Sequence, residues 1–191
     1  AYYDAWRDTR LHRALRTLAA GGANFGGTSA GAMILAQFAF AGGKSLTSQQ
    51  AWEDGRTPWL DDASSGGTAL HEDFLPLVRG AVIDTHFTAR ERLGRLLGIL
   101  ARAWEERPGI RILGLGLDER TGIVLRGAQG RVEGLGTATL VQALPGAASR
   151  RESGRPLQLT GVRLDRVGPG GRIDLGAALA LTAPPAPPPQ P

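Results

Sequence analysis

The stretch Gly26-Gly27-Thr28-Ser29-Ala30-Gly31-Ala32 constrains this chain most tightly. It separates Ala23-Asn24-Phe25, which reads as a short strand, from Met33 to Phe40, an apolar run that reads as a helix. Gly27-x-Ser29-x-Gly31 is the pattern of a sharp strand-to-helix turn with a serine at its tip. Such a serine takes up a strained backbone conformation, and small neighbours keep the turn from colliding with itself. Its hydroxyl then projects into a cleft. The N–H of Ala30, at the start of the following helix, is placed to face an oxyanion there. A helix apolar on nearly all sides is expected to lie buried against a sheet.

Periodicity elsewhere reads as helices alternating with strands. Leu11, Ala14, Leu15 and Leu18 share one face of a helix over residues 10–19, stopped by Gly21-Gly22. His12 on that helix reads as a solvated surface histidine. From Gly42 to Gly67 turn residues dominate, which reads as a long loop with Trp52 and Trp59 as its anchors. Leu75 to Ile83 reads as a strand. Thr88-Ala89-Arg90-Glu91 has the form of a capping box and predicts a helix start, with Leu93, Leu96, Leu97, Leu100 and Trp104 as its buried stripe. Ile110 to Leu117 predicts another strand. Thr121–Leu125 with the segment after Gly130 reads as a β-ribbon, and Leu157–Leu164 and Arg172–Leu175 as two further strands. The alternation from residue 10 to 117 predicts an α/β fold with a mostly parallel sheet flanked by helices, followed by C-terminal β-hairpins. One domain over 1–182 is expected, with a proline-rich disordered tail over 183–191.

Ser29, His86 and Glu119 each follow a predicted strand, where such sheets place their sites. A serine nucleophile needs a base within hydrogen-bond reach, and the base needs a third group to fix its tautomer. His86 is the histidine placed for this. Glu119 or Asp118 is the natural orienting acid, with Asp84 as runner-up, because a carboxylate two residues from a histidine on a strand shares its side. No histidine follows His86, so the order serine, histidine, acid differs from that of α/β-hydrolases. Arg90, Arg92 and Arg95 lie in the predicted first turns of the next helix. Cations there oppose the helix dipole, and such local conflict marks functional sites. Arginine grips carboxylates in bidentate fashion, so the cluster reads as a pocket for an acidic substrate.

Other chemistries fall away. The 191 residues contain no cysteine, which excludes thiolate metal sites and a cysteine nucleophile. Three histidines without ligand spacing give no metal site, and no cofactor is expected. The formal net charge of +4 comes almost wholly from scattered arginines with no interleaved aromatics, so nucleic acid is not an expected partner. No apolar run approaches the ~20 residues of a membrane span, so no membrane partner is expected.

Three segments in order, 26–32, Asp84-Thr85-His86-Phe87-x-x-Arg90-x-Arg92-Leu93-Gly94-Arg95-Leu96 and Gly114-Leu115-Gly116-Leu117-Asp118-Glu119-x-Thr121, resemble the cyanophycinase branch of the S51 serine peptidases. Similarity extends to about Leu175. The resemblance implies a fold like class I glutamine amidotransferases, with Ser29 as nucleophile, His86 as general base and Glu119 as orienting acid. It also implies a substrate cleft lined by Asp84, Thr85, Arg90, Arg92 and Arg95. The implied substrate is cyanophycin, a poly-aspartate with arginine on each side chain, released from a chain end as β-Asp-Arg by a cytoplasmic homodimer. Two departures stand out. Many members have glutamine where Thr85 stands. The family also carries of the order of 100 residues ahead of the elbow, with the first strands and a glycine-rich turn, which this sequence does not show before Gly26.

Overall fold

A computed structural model describes residues 2–42 and 46–183. The fold is α/β, with three sheets and interleaved helices. The central four-stranded sheet runs in the order β3 (Ala81–Thr85), β4 (Leu113–Leu117), β7 (Ala138–Arg150), β8 (Gln158–Val167). Of its pairings, β3 with β4 is parallel, whereas β4 with β7 and β7 with β8 are antiparallel. The sheet is therefore mixed rather than mostly parallel. The sequence from Glu119 onward returns through ribbons, which pair antiparallel, instead of through crossover helices.

The Leu-Gly-Leu-Gly-Leu pattern of β4 shows how this sheet sits in the molecule. Side chains alternate between faces along a strand. Leu113, Leu115 and Leu117 join Ala81 and Ile83 in a core shared with Val132, Ile173, Leu175 and Ala178. These last belong to β6 (Gln129–Gly134), β9 (Arg172–Asp174) and α7 (Leu175–Leu181). On the opposite face Gly114 and Gly116 leave room for the helix α6 (Leu93–Glu106) and the loop before it. A Cβ at Gly114 would lie 2.7 Å from Leu100 Cδ1, and one at Gly116 would lie 2.6 Å from the Phe87 ring. Leu96, Leu97, Leu100 and Trp104 of α6 are buried as expected, and Trp104 Nε1 donates to Ile112 O at 2.9 Å. Leu93 is exposed.

Several local expectations need correction. Ala23-Asn24-Phe25 is coil, with Ala23 and Asn24 exposed and Phe25 half-buried against the Tyr3–Phe74 cluster, and it lies in no strand among the described residues. The run from Met33 is helical for one turn only, α3 (Ala30–Met33), and then becomes extended. Ala36 bridges Val78, and β1 (Ala39–Gly42) pairs antiparallel with β2 (Thr68–His71). A run that is apolar at every position but Gln37 carries no clear period to separate buried helix from buried strand, and pairing with β2 makes Ala39–Gly42 extended. Within the supposed loop 42–67, α4 (Ser48–Glu53) and α5 (Pro58–Asp61) form. The α4 start is a capping box between Thr47 and Gln50. Trp59 packs against the core under α6, and the exposed Trp52 lies over Gly94.

The longest strand, β7, was not anticipated, because Pro145-Gly146 interrupts it. The register shift between Ala143 and Ala148 absorbs that pair as a bulge. β5 (Thr121–Arg126) and β6 form a ribbon joined by Gly127-Ala128. His12, on α2 (Arg10–Ala20), is buried rather than solvated. Its Nε2 lies 2.9 Å from Phe74 O and its Nδ1 accepts from Asp8 N–H, which fixes a neutral Nε2–H imidazole stacked on Phe74. The expected core face of α2 is instead largely open, with Leu11 and Leu18 exposed. The proline-rich stretch from Pro184 lies outside the described residues. Among the described residues, no helix is long and apolar enough to cross a membrane.

Candidate active site

Parallel pairing of β3 and β4 brings the candidate residues together. The register Thr85↔Leu117 sets the ends of the two strands side by side, so His86 and Asp118-Glu119 emerge at one edge. Ser29 stands opposite, at the start of α3. The Ser29 hydroxyl lies 2.9 Å from His86 Nε2, and His86 Nδ1 lies 3.0 Å from Glu119 Oε1. With the proton on Nδ1 donated to Glu119, Nε2 is the acceptor for the serine hydroxyl. Ser29 and Glu119 are exposed and His86 is half-buried, so the row opens to solvent.

Backbone geometry is forced at Ser29 and His86 and just after Glu119. Ser29 has φ +50° and ψ −126°, outside the regions open to side-chain-bearing residues at low cost. Gly27 makes this turn possible: a Cβ there would lie 2.2 Å from Gly31 O. Gly31 has open space where its own Cβ would sit, so Gly27 is the glycine the turn requires. The N–H groups of Gly31, Ala32 and Met33 donate to the carbonyls of Thr28 and Ser29. No described residue accepts from the N–H of Ala30, which leaves that donor beside the Ser29 hydroxyl. His86 has φ +54° and Arg120, just after Glu119, has φ +54°.

That positive φ at His86 separates it from Asp84. In regular strand the two would share a side. Here Asp84 keeps the direction of Val82, toward α6, while His86 turns toward Ser29. Asp84 is fully buried, and its Oδ2 accepts from Arg95 Nε at 2.9 Å. Its Oδ1 accepts from Arg95 Nη2 and, at 3.3 Å, from Arg92 Nη1. Arg92 Nη1 also donates to Thr85 O at 2.6 Å. Burial and the adjacent positive charge of Arg95 push the Arg92 guanidinium below its ordinary range. Asp84, Thr85 and Arg95, expected to line a cleft, are thus interior residues of a buried ionic knot. Arg92 is half-buried and Arg90 is exposed. The helix itself starts at Leu93 rather than at Thr88, since residues 87–92 are spent in turns.

Asp118 does not touch His86. Its carboxylate accepts from Thr88 N–H at 3.0 Å, Thr137 N–H at 2.9 Å and the Thr137 hydroxyl at 2.8 Å. Burial raises its pKa, but these hydrogen bonds outweigh that and hold it below the ordinary carboxylate value of 3.8. A depressed folded-state pKa adds stability that is complete above 3.8 and is lost as pH falls through the lower folded value. Asp118→Asn is therefore expected to cost about 1–3 kcal/mol at neutral pH and progressively less below pH 4. Urea unfolding of both proteins at a series of pH values measures this. A difference independent of pH would mean that the carboxylate charge contributes nothing.

Two residues outside the expected set, Arg166 and Ser48, complete the surroundings. Arg166 Nη2 donates to the Thr88 and Thr137 hydroxyls at 3.1 and 3.2 Å. Ser48 contacts the backbone on both sides of the start of α6. The Thr47-x-x-Gln50 signature was the available signal for α4, while nothing local pairs Ser48 with residues 91 and 95.

No family model matches the chain. Curated relatives do. The sequence is 32% identical over 176 residues to the cyanophycinase of Geminocystis herdmanii (strain PCC 6308), covering 87% of this chain and 56% of that protein. It is 31% identical over 183 residues to the cyanophycinases of Trichormus variabilis (strain ATCC 29413 / PCC 7937) and of Nostoc sp. (strain PCC 7120 / SAG 25.82 / UTEX 2576). Those matches cover 92% of this chain and 54% of each relative. The chain thus spans about half the length of the curated relatives it matches. Over most of its own length the chain is thus similar to these cyanophycinases.

Proposed function

We propose that this chain carries the catalytic residues of a serine exopeptidase that hydrolyses cyanophycin to β-Asp-Arg. The observation that carries the reading is the continuous hydrogen-bonded row from Ser29 Oγ through His86 to Glu119. In this scheme Ser29 Oγ attacks the carbonyl carbon of the scissile amide and passes its proton to His86 Nε2. Glu119 holds the Nδ1–H and steadies the imidazolium. The Ala30 N–H donates to the carbonyl oxygen as it becomes an oxyanion. His86 then protonates the leaving amine as the tetrahedral intermediate collapses to an acyl-enzyme. Water, deprotonated by His86, releases the acyl group and restores the Ser29 hydroxyl.

Arg90 and Arg92 are the cations of the expected cluster that retain exposure, and they take the role of meeting substrate carboxylates. An amidotransferase-like arrangement, a single domain over 1–182, a homodimer and a cytoplasmic location belong to the same reading. The test is incubation of the whole natural protein with purified cyanophycin, followed by mass spectrometry. β-Asp-Arg accumulating from the start, without intermediate-length polymer, is the expected result. Release from α-linked aspartyl peptides alone would move the reading to an S51 peptidase of other aspartyl substrates.

A further inference from the structure

Resting on that reading of the Ser29–His86–Glu119 row, we propose that Ser48 is a positioning residue for the base His86. His86 opens a tight loop closed by three backbone hydrogen bonds. These are Arg90 N–H to His86 O (3.1 Å), Glu91 N–H to Thr88 O (3.1 Å) and Arg92 N–H to Phe87 O (2.9 Å). Two of its residues, His86 and Glu91, have positive φ, +54° and +50°. A loop with two such residues keeps its shape only where its surroundings over-determine it.

Asp118 supplies one external restraint, through Thr88 N–H. Leu117 O accepts from Phe87 N–H at 3.0 Å and Arg166 donates to the Thr88 hydroxyl, and Ser48 supplies the restraint at the far end of the loop. Its hydroxyl donates to the carbonyl of Glu91, the second strained residue, and accepts from Arg95 N–H at 3.0 Å. The helix α6 has no side-chain cap of its own, because Arg92 at the cap position brings no acceptor to the free N–H groups. A serine from a different helix fills that role and, with the same atom, ties down the loop.

The platform that carries Ser48 is fixed in turn. Helix α4 packs against α6 at Gly94 and Gly98, where added Cβ atoms would lie 2.7 Å from Trp52 Nε1 and 2.8 Å from Ala51 Cβ. Its carbonyl at Trp52 accepts from Leu157 N–H at 2.9 Å. The Ser48 hydroxyl thus ties α4 to the loop that carries His86.

The test compares wild type, Ser48→Ala and Ser48→Thr of the whole natural protein, with Ser29→Ala as the blank. A fluorophosphonate probe reports the rate of serine labelling from about pH 5 to 9, and nitrogen-15 NMR reports the His86 ring over the same range. Ser48→Ala is expected to label about ten- to a hundredfold more slowly and to shift the His86 resonances, since a displacement near 1 Å carries that penalty. Ser48→Thr, which keeps the hydroxyl, is expected to restore both. Wild-type labelling and an unmoved His86 in Ser48→Ala, with only a lowered melting temperature, would reduce Ser48 to a helix cap and overturn the proposal. Absence of labelling in wild type would overturn the nucleophile reading instead. The His86 resonances would still decide the role of Ser48.

Discussion

Ser29→Ala is expected to lower kcat of the whole protein on its substrate by a factor of the order of 10⁶, with KM little changed. On the proposed mechanism the substitution removes only the attacking hydroxyl and leaves the Ala30 N–H and the arginines for binding. His86→Ala is expected to match it, because a nucleophile and its base act as one unit and their losses do not add. Glu119 should behave differently. Its side chain is 53% exposed and that of His86 26%, so water competes for Nδ1–H and screens the carboxylate. Glu119→Gln is therefore expected to cost only about 10²–10⁴ in kcat, within the range of one acid–base element. Single-turnover rates on cyanophycin, followed by dipeptide release, measure all three. A Ser29→Ala variant that retained a tenth of the activity would end the serine reading. Equal losses for Glu119→Gln and His86→Ala would instead mean that substrate closes over the carboxylate and dries the site.

The site was more legible in the sequence than the fold around it. Gly27, Ser29, His86 and Glu119 announce themselves because chemistry and backbone strain restrict what stands there. Gly27 is fixed by a backbone approach within the turn itself, and Ser29 needs the turn that Gly27 permits. Asp118 and Glu119 are the first two residues after β4. What could not be read locally depends on partners far along the chain. Ala39 and Phe40 turn extended because β2 lies beside them. The interruption at Pro145 is tolerated because β7 bulges there. Thr88 has the form of a helix cap, yet its N–H donates to Asp118 and its hydroxyl accepts from Arg166, and the helix starts only at Leu93. The role of Ser48 joins positions 43 residues apart, and no local pattern records it.

Asp84→Ala is expected to destabilise the protein by about 3–5 kcal/mol, the cost of removing one partner from a buried ion pair. The number follows from what remains. Arg95 Nε and Nη2 and Arg92 Nη1 all point at the lost carboxylate, and the Arg95 side chain is only 8% exposed. Two guanidinium groups would face each other with no anion between them. Asp84→Asn should cost nearly as much, because it keeps the shape and loses the charge. The double variant Asp84→Leu with Arg95→Met should recover most of the loss, since a well-packed apolar pair replaces a buried ionic one at little cost. Denaturant midpoints at constant slope read these differences without substrate. The experiment therefore separates the two roles open to the cluster. If Asp84→Ala left stability within about 0.5 kcal/mol of wild type, as a surface substitution does, while KM rose, the arginines would be held for substrate rather than for the scaffold. A large loss of stability assigns Asp84 and Arg95 to the frame that carries His86, and leaves Arg90 and Arg92 as the cations that meet the substrate.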